Sequence, residues 1–204
     1  MKSKILFFIF SLGISVSVSA QSPVLFGVRG GTNFSGAKGD AFTNKLYVGF
    51  DIGAYGGINF IPELGIQVEA LYQQTRLSTK DYFVNNGTGI EGGNKKLNYF
   101  SIPILVRFNL SPEFSLIGGP QLNVLTDKDK YLLDNRNVAF KERSSTWIAG
   151  FEFITKSRPR VSIYGRVAWG TKIENIGDGT DAKIIRMQLG IVLPIIGNEE
   201  NRRR

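Results

Sequence analysis

Four arginines (Arg29, Arg107, Arg166 and Arg186) and three carboxylates (Asp51, Glu69 and Glu152) are the side chains of this 204-residue sequence best placed to act as a set. With Tyr47, Tyr55, Tyr99 and Tyr164 at comparable positions, they could form a closed, hydrogen-bonded ion-pair network. A proton or ion path is the functional alternative. Buried charges are tolerable only when paired, so a structural network explains them more simply. Two acidic stretches, Asp127-Lys128-Asp129 and Asp178-Gly179-Thr180-Asp181, offer oxygen ligands for calcium. Each lacks the spaced acidic set and terminal Glu of a calcium loop, and both read as solvated loop.

The chain has no histidine and no cysteine, which removes most other chemistry. There is no Ser–His–Asp triad, imidazole ligand, thiolate zinc site, iron–sulfur cluster or disulfide. No catalytic, cofactor-binding or metal-binding residue is assigned, and no enzymatic activity is expected. Net charge is +8. Lys2 and Lys4 lie in a leader and Arg202, Arg203 and Arg204 in a terminal run, while the remaining cations are scattered through loops. A nucleic-acid partner is therefore not expected.

Residues 1–20 read as a secretory signal peptide. Lys2 and Lys4 supply the positive start, Ile5 to Val18 the apolar core, and Val18-Ser19-Ala20 the small-residue cleavage pattern, which puts the mature start at Gln21. The core is short for a membrane anchor and is weakened by Ser11, Ser15 and Ser17. No Cys follows it, so a lipid-attached lipoprotein is excluded.

The elements that must position the charges are strands. With 24 glycines among its residues, the chain exceeds the roughly 7% of average usage. Eight segments alternate apolar and polar residues with period two: Val24–Ser35, Lys45–Phe60, Leu64–Thr75, Tyr99–Leu110, Phe114–Val124, Thr146–Phe153, Val161–Trp169 and Ile185–Leu193. The gaps alternate too. Ile61-Pro62-Glu63, Ser111-Pro112-Glu113 and Lys156-Ser157-Arg158-Pro159 are tight, whereas Gly36–Asn44, Ser78–Lys96, Asp127–Arg143 and Lys172–Lys183 are long. All tight turns then lie at one end and all long loops at the other. That is the layout of an all-β, eight-stranded antiparallel up-and-down transmembrane β-barrel, with short periplasmic turns and long extracellular loops. The barrel domain spans residues 21–196 and a basic tail follows at 197–204.

Alternation alone does not say which face is inward. A soluble periplasmic ligand-binding barrel would keep its apolar face inside, and it stands as the alternative. The composition of the polar face favours the membrane barrel, because a solvated face would use Lys, yet none of the seven central charges is Lys. On the apolar face, Phe26, Phe60, Phe108, Phe114 and Phe153 fall near the tight-turn end. Phe34, Phe50, Tyr72, Phe100, Trp147 and Trp169 fall near the long-loop end. Two aromatic girdles around an aliphatic band are what two membrane interfaces require, with outer-membrane lipid as the partner of that face.

Three stretches carry a resemblance to a known group. They are Gly27-Val28-Arg29-Gly30-Gly31-Thr32-Asn33-Phe34-Ser35, Leu64-Gly65-Ile66-Gln67-Val68-Glu69-Ala70-Leu71-Tyr72-Gln73-Gln74, and Leu97-Asn98-Tyr99-Phe100-Ser101-Ile102-Pro103-Ile104-Leu105-Val106-Arg107-Phe108 with Gly118-Gly119-Pro120-Gln121 after it. In these the chain resembles the PorT-like outer-membrane β-barrel proteins of the Bacteroidota. The resemblance implies a small barrel in the cell outer membrane and, for some members, a part in type IX protein secretion, with envelope or secretion-machinery proteins as partners. It brings no catalytic residue. The lipid A deacylase barrels and omptin proteases rely on a catalytic His that this chain lacks. In a bacterial context the glycosylation triplet Asn86-Gly87-Thr88 is a chance match. The chain departs from many such barrels in one respect: its last strand ends near Leu193-Pro194-Ile195-Ile196 and is followed by Gly197 to Arg204, not closed by an aromatic residue.

Overall fold

A computed structural model describes residues 24–38, 42–43, 45–80, 82–83, 89–90, 92–127, 140–155, 161–170 and 183–196. The leader, the basic tail, Lys128-Asp129, Asp178 to Asp181 and Asn86-Gly87-Thr88 lie outside them. The described strands are β1 (Val24–Lys38), β2 (Tyr47–Ile61), β3 (Leu64–Thr79), β4 (Tyr82–Phe83), β5 (Gly89–Ile90), β6 (Gly93–Asn109), β7 (Phe114–Leu125), β8 (Arg143–Ile154), β9 (Ser162–Gly170) and β10 (Lys183–Ile196). Eight of them close an antiparallel barrel in the order β1-β10-β9-β8-β7-β6-β3-β2, and β4 and β5 form a separate two-stranded sheet. Closure pairs β1 with β10 from Phe26↔Ile196 to Lys38↔Lys183. No long strand is left with an open edge, the condition a β-structure must meet in lipid.

The two faces are the ones alternation requires. Ile52, Val68, Ile104, Leu122, Trp147 and Leu189 point outward and are exposed, whereas Arg29, Asp51, Glu69, Arg107, Glu152, Arg166 and Arg186 are all buried. An inverted soluble barrel would need the reverse. The aromatics of the outward face meet as the girdles require. Phe50 and Tyr72 lie 6.0 Å apart between ring centroids at the loop end, and Phe114 and Phe151 stack at 6.1 Å toward the turn end.

Three differences from the expected elements lie where apolar contrast ends. β3 runs to Thr79 and β6 starts at Gly93, with pairing continuous through Arg76↔Lys96 and Ser78↔Asn94. The small β4–β5 hairpin also lies within the stretch read as one long loop. The outward residues here are polar, so the period-two hydrophobic signal stops while the ladder goes on. β1 likewise runs to Lys38, past the expected end at Ser35.

The tight turns are held by local hydrogen bonds. Ser111 Oγ accepts from the Phe114 and Glu113 amides at 3.0 and 3.3 Å, and the Thr155 amide and hydroxyl both donate to the Val161 carbonyl at 2.8 Å. Asn109 closes the turn after β2, its side-chain amide donating to the Pro62 carbonyl at 2.8 Å.

Candidate functional site: the lumen network

The charged side chains of β1, β2, β3 and β9 converge on Glu69. Arg29 Nη1 donates to both Glu69 oxygens at 3.0 and 2.9 Å. Arg166 holds the same carboxylate with two donors, Nη1 at 2.8 Å and Nη2 at 2.6 Å, and Gln67 Nε2 donates at 2.6 Å. Paired, charge-assisted contacts of this kind are the strong class of hydrogen bond. Asp51 completes the group, 3.7 Å from Arg29 Nη2 and accepting the Tyr164 hydroxyl at 2.8 Å. The Arg29 guanidinium carbon lies 3.7 Å from the Tyr164 ring centroid and that of Arg166 lies 5.2 Å away, so the ring face takes up positive charge that the carboxylates share.

Toward the turn end, Arg107 pairs with Glu152. The same guanidinium donates to Gln67 Oε1 at 2.9 Å, Asn109 Oδ1 at 3.1 Å and Ser115 Oγ at 3.3 Å. Gln67 thus joins the two ion-pair groups, because its amide donates to Glu69 and its carbonyl accepts from Arg107.

Glycine makes room for this arrangement. Gly31 and Gly190 face each other across β1 and β10, and the Tyr164 hydroxyl lies 2.3 and 2.5 Å from where a Cβ on each would sit. Any side chain there would push the phenol off Asp51. Gly31→Ala is expected to lower barrel stability by about 1–3 kcal/mol through overpacking. Urea titration of the folded band in vesicles measures it; an unchanged midpoint would show that Tyr164 does not need this space.

The expected network is present, with corrections. Of the four tyrosines, Tyr164 joins it, while Tyr55 packs with Tyr164 and Val192 in an apolar cluster. Arg186, expected among the paired charges, makes no direct ion pair with a carboxylate among the described residues; it donates to Gln73 Oε1 at 3.1 Å and Thr75 Oγ1 at 3.4 Å, and Asp51 acts on it at longer range. Asp127 is engaged locally. Its two oxygens accept from the Asn98 amide at 3.1 Å and the Asn98 side chain at 3.0 Å, tying the β7 end to β6. Among the described residues no three Asp or Glu side chains gather as metal ligands.

Alternation also hid part of the lumen. Leu105, Ile117, Ile148 and Ala168, on four successive strands, form a buried apolar cluster on the inward face. Runs such as Ile104-Leu105-Val106 and Trp147-Ile148-Ala149, apolar on both faces, were the available signal. At the loop end the inward positions Ala37, Leu77, Leu97, Leu125 and Ile184 are buried. Phe42, bridged to Thr79, and Phe140, two residues before the Glu142 carbonyl that accepts from the Leu125 amide, are buried there too. The described inward-facing side chains are buried from turn end to loop end.

A family model described as outer membrane protein beta-barrel domain matches residues 6–191. The chain belongs to that family. Membership puts it in the outer membrane, where the exposed Ile, Leu and Val band meets lipid. Among solved structures it is similar to Ail, the attachment invasion locus protein of Yersinia pestis, in complex with the heparin analogue sucrose octasulfate. That match has 15% identity, covers 84% of this chain and 99% of Ail, and has a TM-score of 0.49. Neisserial surface protein A matches at 13% identity over 82% of this chain and 96% of its own, TM-score 0.44. The outer membrane protein OprG from Pseudomonas aeruginosa matches at 11% over 86% and 97%, TM-score 0.39. No curated protein matches the chain.

Proposed function

We propose that this chain is a non-enzymatic integral protein of the outer membrane, whose filled barrel holds its loops or turns for contact with other envelope components. The observation that carries the reading is the lumen: buried ion pairs in its middle, apolar side chains at its loop end, and no histidine or cysteine to act as nucleophile or base. An eight-stranded barrel is wide enough only for side chains to fill. In this reading residues 1–20 are removed on export, residues 21–196 form the barrel, tight turns face the periplasm with the tail 197–204, and the longer connections face outward.

The experiment is paired. Outer-membrane fractions run with and without boiling should give a heat-modifiable band, and the purified barrel in a planar bilayer should show no stable conductance. A steady ion current from the folded band would overturn the filled-lumen reading. The PorT-like resemblance of Leu97 to Phe108 supports a second reading, an accessory role in type IX secretion. Deleting the gene should then reduce secreted protein; unchanged secretion would exclude it.

A further inference from the structure

Just beyond the loop-end girdle, the outward face of β3 carries an arginine held in a fixed pose. Arg76 follows Tyr72 and Gln74 on that face and is exposed. Its Nε donates to Gln74 Oε1 at 3.2 Å, Gln74 Nε2 donates to Asn98 Oδ1 at 3.3 Å, and Asn98 Nδ2 donates to Asp127 Oδ2 at 3.0 Å. A carboxylate only accepts, so both amides of this chain are oriented from the Asp127 end. The Arg76 backbone is fixed too: its amide donates to Ser35 Oγ at 3.2 Å, and its carbonyl accepts from that hydroxyl at 2.7 Å. The two Nη groups of Arg76 have no acceptor among the described residues.

The surface beside this guanidinium is apolar on one flank and basic on the other. Phe50 of β2 pairs with Gln74, and the next outward residues along β2 are Val48 and Leu46, 52% and 64% exposed. The apolar strip of β2 therefore reaches past the girdle to the level of Arg76. On the other flank Lys96 of β6 pairs with Arg76, and Lys80 follows beyond the end of β3; both are exposed. Among the described residues, no Asp or Glu stands at an outward position of β2, β3 or β6 at this level. Cations beside exposed aliphatic side chains, with no acid between them, match an anionic amphiphile.

We propose that Arg76 is the centre of a binding site for the phosphate headgroup of an anionic lipid in the leaflet at the loop end. Its Nη groups, with Nε already committed to Gln74, are free to grip two phosphate oxygens, the forked geometry that suits phosphate. Lys96 and Lys80 add positive potential. The acyl chains run from Val48 over Phe50 and Tyr72, so one lipid is held against the β2–β3–β6 side of the barrel.

The test adds dioleoyl phosphatidic acid to the refolded chain in nonionic detergent and reads the retained lipid by native mass spectrometry. One molecule per barrel is expected. Dioleoylglycerol, which lacks the phosphate, should be retained far less, and excess inorganic phosphate should not displace the bound lipid. Arg76→Gln is expected to lower the affinity for phosphatidic acid about tenfold, the loss of one forked, charge-assisted contact. Arg143 is an exposed arginine on β8, two strands from β6, and Arg143→Gln should leave the affinity unchanged. Equal retention of the two lipids would mean apolar contact alone, and displacement by inorganic phosphate would mean a free-anion site. Native affinity in Arg76→Gln, or an equal loss in Arg143→Gln, would mean diffuse attraction. Each of these results would overturn the proposal, and the native-chain arms decide it even if a variant does not fold.

Discussion

Arginine in place of Ile104 is expected to leave the chain unable to insert, with no heat-modifiable band when it is refolded into lipid vesicles. Ile104 lies on the outward face of β6, 40% exposed, opposite Val68 on β3. It is midway between Phe100 and Phe108, the girdle residues of its own strand, so its side chain meets the middle of the aliphatic band. A guanidinium there has no lumen partner to reach and is far from either interface. Arginine at the bilayer midplane of such barrels costs about 2–4 kcal/mol, a large share of the 5–15 kcal/mol that typically separates folded from unfolded states. The outward face already carries Arg76 and Lys96, but these sit beyond the girdle, where cations meet headgroups and water. A folded fraction equal to that of the native chain would mean that Ile104 does not face lipid.

Glu69→Gln is expected to do the opposite: the barrel inserts but unfolds far more easily. The substitution preserves shape and removes only the charge. It leaves Arg29 and Arg166, both buried, sharing a neutral acceptor in place of the carboxylate they now both hold. Breaking a buried ion pair from one partner typically costs about 3–5 kcal/mol, because the remaining charge stays buried and uncompensated. Urea titration of the folded band in vesicles should therefore show a midpoint well below that of the native chain. Adding Arg166→Gln removes one of the stranded cations and should recover part of the loss, the coupling expected of residues in one network. If Glu69→Gln kept the native midpoint, the lumen pairs would contribute nothing to holding the barrel together, and their role would have to be sought elsewhere.

The contrast between these variants rests on a feature read directly from the chain. In a strand the side-chain period is two, so Ile104 and Arg107 had to point to opposite faces whatever the pairing. Seven central charges without a Lys, and aromatics at two depths, then decided which face was inside. The alternating gap lengths gave the order of strands around the barrel, since tight turns join only antiparallel neighbours.

Sequence alone could not say which arginine meets which carboxylate. Arg166 reaches Glu69 across 97 residues of chain, and Tyr164 reaches Asp51 across 113. Those meetings depend on closure and on the stagger between strands, which no local pattern encodes. The same holds for Arg186. Its type and spacing match those of Arg29 and Arg166, and only the position of β10 in the closed barrel gives it Gln73 and Thr75 as its direct hydrogen-bond acceptors. The extra length of β3 and β6 was invisible for another reason, because strand pairing continues past the lipid while hydrophobic contrast does not. Periodicity therefore determined the strands, their faces and the membrane band, each set by a residue's immediate neighbours. Tertiary structure decided the partners and the closing of the lumen, because side chains far apart in sequence meet only when the sheet closes on itself.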